Sequence, residues 1–227
     1  MQPLDERAGQ NGRKLPFLML LFFAFLDGKR WIKRKCIFVD HRFYNAVAAA
    51  PVIAAVKDLE GLEQCLQTEN IQVVFLLFGD ICGIGDLVER VKGAEKFAVV
   101  HADLISGLST SKEIAVDYIK NATRADGIIS TRPNFIRRAK ALNMFTVLRV
   151  FVIDSMAMSG LAKLEQVRPD FLEILPGIMP KAICKICQSI HTPVLAGGLI
   201  ADKEDVLNAL NAGAMAVSTT NTDVWKM

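Results

Sequence analysis

No HExxH, no P-loop and no spaced nucleophile–base set occurs in this chain of 227 residues. Zinc-protease, Walker-type nucleotide and triad chemistries therefore have no motif to rest on. No GxGxxG follows the first strand-like run, so the usual signature of a dinucleotide-binding sheet is missing. Cysteine is sparse: five residues, at 36, 65, 82, 184 and 187, an odd number without framework spacing. That pattern points to a reducing, cytoplasmic setting and not to a disulfide scaffold. Cys184 and Cys187 form one CxxC, but no second pair or histidine cluster completes a zinc site. "KAICKICQSI" reads instead as the interior of an amphipathic helix, and no metal is expected. A strong excess of one charge is also absent. The formal net charge of +3 is unevenly placed, with nine Lys/Arg and four Asp/Glu in residues 1–42, against eighteen and twenty afterwards. The later part is near neutral, and its bulk charge announces no nucleic-acid partner.

Nor is there an apolar run long enough to span a bilayer comfortably. The run at 15–26, "LPFLMLLFFAFL", has about twelve residues and follows a basic stretch, as the core of a signal peptide does. A small-residue cleavage site is missing, and the next segment is strongly basic. A signal or anchor, an amphipathic appendage, and sequence upstream of the true start are the three readings. The last is preferred, and no stable membrane association is expected.

What is present is an α/β composition, 52% apolar and 7% aromatic. From residue 50 onward, apolar strand-like runs recur every 20–25 residues or so, each followed by a helical pattern. The runs are 51–56, 71–79, 96–104, 126–130, 144–154, 169–175, 193–197 and 214–219. Helical patterns such as "LEGLEQCLQTE", "IGDLVERVKGA", "SKEIAVDYIKNA" and "PNFIRRAKAL" fill the gaps, and Pro133 and Pro180 sit where a helix would open. The runs are hydrophobic on both faces, as parallel strands covered by helices must be. Eight βα units predict a single, compact (β/α)8 TIM-type barrel over 43–227, preceded by a non-barrel extension over 1–42.

In such a barrel, chemistry gathers at the C-terminal ends of the strands. After strand 7 comes the pair Gly197-Gly198; after strand 8 comes "STTN", with Ser218, Thr219 and Thr220. Glycine lets backbone approach a ligand closely, and hydroxyls beside a short helix suit an anion, so these two loops are the predicted phosphate site. Around the mouth stand His101, Asp103, Arg132, Arg149, Asp154 and Glu173. His101 and Asp103, two apart on a strand, would point to one side, as a ligand-facing pair or as a polar layer closing the mouth. Arg149 and Glu173 lie in apolar strands and each needs a partner, which a mutual salt bridge or a ligand would supply. Arg137, Arg138 and Lys140 form a basic cluster on one predicted helix, which a solvated helix face would explain.

The segments "HADLISGL", "ADGIISTRP", "RVFVIDSMA", "RPDFLEILPGIMP", "LAGGLIADKEDVLNALNAGAMAVSTTN" and the terminal "VW" resemble the glycerol uptake operon antiterminator regulatory proteins. The resemblance runs in order over about 43–227. It implies a TIM-barrel-like, non-enzymatic regulator whose effector is sn-glycerol 3-phosphate, with no other cofactor. It also implies binding to the leader mRNA of glycerol-catabolic genes, so that a terminator does not form, and on that implication Arg137, Arg138 and Lys140 are the candidate RNA contact. "AGG" and "STTN" resemble the family's phosphate end; "HAD", "STR", Arg149, Asp154 and Glu173 resemble its polar mouth. The family usually begins near "FYNAV", which is why 1–40 reads as an upstream extension. The polar mouth alone would also permit a phosphate-binding barrel enzyme acting on a triose or glycerol phosphate.

Overall fold

A computed structural model describes residues 41–227. The segment expected to be an extension lies outside the described residues, except for positions 41 and 42, which open the first helix. The elements alternate as α1 (His41–Ala49), β1 (Val52–Val56), α2 (Leu59–Gln67), β2 (Val73–Leu76), α3 (Ile84–Gly93) and β3 (Phe97–His101). They continue as α4 (Ile114–Ala122), β4 (Gly127–Ser130), α5 (Pro133–Ala141), β5 (Phe145–Phe151), α6 (Ser155–Glu165) and β6 (Phe171–Leu175). The last are α7 (Pro180–Ser189), β7 (Val194–Gly197), α8 (Lys203–Asn211), β8 (Ala216–Thr219) and α9 (Thr222–Trp225). All neighbouring strands pair in parallel, and β8 pairs with β1 to close an eight-stranded barrel. The (β/α)8 expectation holds, and every strand falls inside its expected run.

Period-two alternation sorts each strand between two cores. Ile53, Ala55, Val73, Phe75, Val99, Ile129, Val147, Phe171, Leu195 and Ala216 fill the barrel interior. The alternate residues, such as Ala54, Val74, Val100 and Ile128, pack outward against the helices. α1 was not foreseen as a barrel element. Its Phe43 stacks on Phe145 at 4.5 Å and meets Phe97 and Phe171 edge-on at 5.4 and 5.6 Å. Those three phenylalanines open β3, β5 and β6, so α1 plugs the N-terminal end of the barrel. At the same end Gly127 lies so close to β5 that a Cβ there would come within 2.5 Å of the Phe145 carbonyl oxygen.

Aspartates set the helix starts. Asp58, Asp154 and Asp202 each accept from the backbone N–H three residues on, as good N-caps do. Pro133 and Pro180 stand in the first turns of α5 and α7, as expected. Cys184 and Cys187 lie within α7, and Cys187 packs against apolar residues from two neighbouring core clusters. Among the described residues no helix is long and apolar enough to cross a membrane. No group of three metal-ligating side chains occurs among them either.

Candidate functional site

The inward parity that carries apolar residues through the barrel reaches polar ones at its C-terminal end. Register sets Arg149 of β5 beside Glu173 of β6, and Gly197 of β7 beside Ser218 of β8. Arg149 Nε donates to Glu173 Oε2 at 2.6 Å and its terminal nitrogen to Oε1 at 3.3 Å. Ser218 Oγ donates to the same Oε1 at 2.5 Å. Glu173 is fully buried, so its carboxylate needs these donors. Of the two roles open to Arg149 and Glu173, the mutual salt bridge is the one formed.

This network changes the meaning of the glycine pair. A Cβ on Gly197 would fall 2.6 Å from both Glu173 Oε1 and Ser218 Oγ. Gly197 is therefore glycine because the buried hydrogen bond crosses it, a reason that neighbouring sequence could not reveal. Gly198, at φ +74°, turns the chain, and Leu199 follows at φ +63°. Among the described residues the N–H groups of Leu199 and Ile200 donate no backbone hydrogen bond.

Across from them, the hydroxyl of Thr219 is spent, donating to Ile200 O at 2.8 Å and accepting from Asn221 N. Asn221 caps α9 and its amide donates to Ala201 O, tying the two loops together. Thr220 is exposed. Between the loops opens a cavity of about 440 Å³, lined by Gly198, Leu199, Ile200, Thr219 and Thr220 and floored by Leu77 and Arg149. The predicted loops of strands 7 and 8 thus do share one concave site.

The other mouth residues divide. His101, the last residue of β3, is buried, and its Nδ1 has no hydrogen-bond partner. Burial, with the nearby Arg149 guanidinium adding to it, pushes its pKa down to about 4, so the ring is neutral near pH 7. Asp103 does not extend β3 beside it. The strand ends at His101, where Leu104 N bonds back to His101 O in a turn. The expected same-strand pair is thereby corrected: Asp103 instead accepts from Ser130 Oγ, Thr131 N and Thr131 Oγ1, with Arg132 Nε at 3.8 Å. It ties the loop after β3 to the loop after β4. Asp154 is exposed and caps α6.

On α5, Arg138 pairs with Asp117 of α4, which holds that carboxyl below its ordinary range. Lys140 pairs with Asp170 at 3.0 Å, and Arg137 is exposed. The expected basic cluster therefore splits, with two of its three cations already committed to carboxylates.

Lys57, immediately after β1, escaped the sequence reading. It has the inward parity of Ile53 and Ala55, which was the available signal. Among the described residues it makes no ion pair. It shares with Thr220 the lining of an adjoining hollow of about 240 Å³.

A profile of the family described as glycerol-3-phosphate responsive antiterminator matches residues 52–225. An uncharacterized Escherichia coli K12 protein, YgcP, is 44% identical over 178 residues, covering 78% of this chain and 92% of that protein. The structure of a glycerol uptake operon antiterminator regulatory protein from Listeria monocytogenes superposes with a TM-score of 0.73 at 36% identity, over 77% of this chain and 94% of that one. A glycerol uptake operon antiterminator-related protein from Thermotoga maritima gives 0.69 at 32% identity, over 78% and 98%.

Proposed function

This chain belongs to the family of glycerol-3-phosphate responsive antiterminators, and from that premise we propose that it is an effector-sensing RNA-binding regulator acting without turnover. The effector is sn-glycerol 3-phosphate, bound at the barrel mouth. The liganded protein binds the leader mRNA of glycerol-catabolic genes and keeps a terminator from forming. The setting is cytoplasmic.

The observation that carries the ligand reading is the cavity between the loops after β7 and β8. It has the size and place of a phosphate site in this fold. Open backbone N–H groups, the Thr220 hydroxyl and the neighbouring Lys57 ammonium supply donors and charge suited to a phosphate. Ser218 and Thr219 support the site from below, because their protons are committed within the protein. Arg149 lines the cavity while bound to Glu173, so an arriving anion meets a guanidinium already fixed in place.

Calorimetry tests the ligand half. Thr220→Ala combined with Lys57→Gln is expected to weaken sn-glycerol 3-phosphate binding by about 1.5–3 kcal/mol, the worth of hydrogen bonds to a charged group. Unchanged affinity would place the ligand elsewhere. For the RNA half, retention of the cognate leader should rise with sn-glycerol 3-phosphate and fall steeply with salt. Arg137→Ala should weaken that retention more than replacement of Arg138 or Lys140, which already face carboxylates. Turnover of the ligand, or retention indifferent to it, would favour a barrel enzyme instead.

A further inference from the structure

Nearly every polar group at the mouth is answered from within the protein. Arg149, Glu173 and Ser218 satisfy one another, Asp103 is met by Ser130 and Thr131, and Thr219 by Ile200 and Asn221. His101 Nδ1 is the exception: among the described residues it is the buried side-chain nitrogen or oxygen without a partner. An unmet buried polar atom is costly, and native proteins keep few of them without a use.

The place of this nitrogen suggests what meets it. His101 has the parity of Val99, which faces the barrel interior. The pairing of Leu76 with Val100 sets Leu77 beside His101 on the inner wall, and Leu77 lines the 440 Å³ cavity together with Arg149. β3 stands across the ring of eight strands from β7. A molecule whose anion is held by the loop after β7 would have to reach across the mouth, past Leu77 and Arg149, to meet His101. The ring there is held neutral by burial and by Arg149, so it offers one donor and one acceptor and no counter-charge. A hydroxyl can meet Nδ1 in either tautomer, donating to the bare nitrogen or accepting from its N–H, whereas an ionised phosphate oxygen can meet only the N–H.

We propose that His101 is the specificity-determining residue of this site, hydrogen-bonding a hydroxyl of a phosphorylated polyol whose phosphate lies at the loops after β7 and β8. The proposal rests on the phosphate reading above. It separates the two ends of the ligand: backbone N–H groups, Thr220 and Lys57 read the anion, and His101 reads the carbon chain.

The test compares three probes by calorimetry: sn-glycerol 3-phosphate, n-propyl phosphate, which lacks both hydroxyls, and inorganic phosphate. The wild-type chain is expected to prefer the polyol phosphate over n-propyl phosphate by about tenfold or more, the scale of a satisfied hydrogen bond. In His101→Leu that ratio should fall toward one, and in His101→Asn it should be partly restored. The ratio carries the result, since a merely structural histidine would weaken both probes alike. The wild-type protein gives a readout that no folding defect can confound. Its three histidines make the ring 15N resonances assignable, and those of His101 should move with sn-glycerol 3-phosphate but not with n-propyl phosphate. An unchanged ratio in His101→Leu, or equal shifts with both probes, overturns the proposal and leaves the phosphate site standing. No binding of any probe to the wild type overturns the phosphate reading and this inference with it.

Discussion

Gly197 shows how much a single missing Cβ can decide. Its neighbours in sequence suggest a ligand-facing turn, yet the space above it is occupied by the hydrogen bond between Ser218 and Glu173, residues 45 positions apart in the chain. Gly197→Ala is expected to destabilise the protein by about 1–3 kcal/mol, as overpacking does, because the new methyl meets two buried oxygens. Ser218→Ala removes one of those oxygens and frees Glu173 to shift. The two substitutions should therefore cost less together than the sum of their separate costs. Urea unfolding of both single variants and the double variant measures this, and strict additivity would mean that the Cβ finds room elsewhere. Lys57 gives the opposite lesson. Its parity was readable from "VIAAVK" alone, whereas the orphaned state of His101 Nδ1 and the partners of Asp103 depend on contacts that local sequence does not encode.

Among the elements, the eight strands were legible because strands buried on both faces read as continuous apolar runs. Their ends were less so. The run at 96–104 continues past β3 because Ala102 is buried and Leu104 is apolar, although the chain has left the sheet and is turning. α1 was hidden for a related reason. "HRFYNAVAA" carries Phe43, Ala46 and Val47 inward, a short pattern that does not stand out beside the apolar run upstream. Its value lies in what it covers, since the N-terminal end of the barrel would otherwise expose Phe97, Phe145 and Phe171 together. Phe43→Ala should accordingly cost about 3–5 kcal/mol, the range for emptying a buried aromatic position. Tyr44, on the same helix but exposed, should tolerate alanine at less than half that cost, although it stacks near Phe171. Thermal unfolding of the two variants separates a plug from a surface helix. Equal and small losses would deny α1 its place in the core.

For the whole molecule, closure of the sheet couples the mouth to global stability, since β3 cannot leave the ring without opening two strand pairings. The burial that keeps His101 neutral must therefore register in the free energy of unfolding. Its pKa stands at about 4 in the folded protein, against an ordinary value of 6.5. Between those values the unfolded chain takes up a proton that the folded chain refuses, so acid favours unfolding. The stabilisation is complete above pH 6.5 and is lost progressively as pH falls toward 4. Between pH 7 and pH 5 this one group should remove about 2 kcal/mol of stability. Carboxylates held low, such as Asp117 beside Arg138 and Glu165 beneath the N–H groups of His191 and Thr192, lose their contribution only at lower pH. His101→Asn keeps a polar side chain at the position and has no proton to gain. Denaturant unfolding at pH 7 and pH 5 should therefore show the wild-type chain losing more stability than His101→Asn, by about that amount. Parallel losses in the two proteins would mean that His101 titrates as an ordinary histidine, with its ring open to water, and the neutral hydrogen-bonding group on the inner wall of the mouth would be gone.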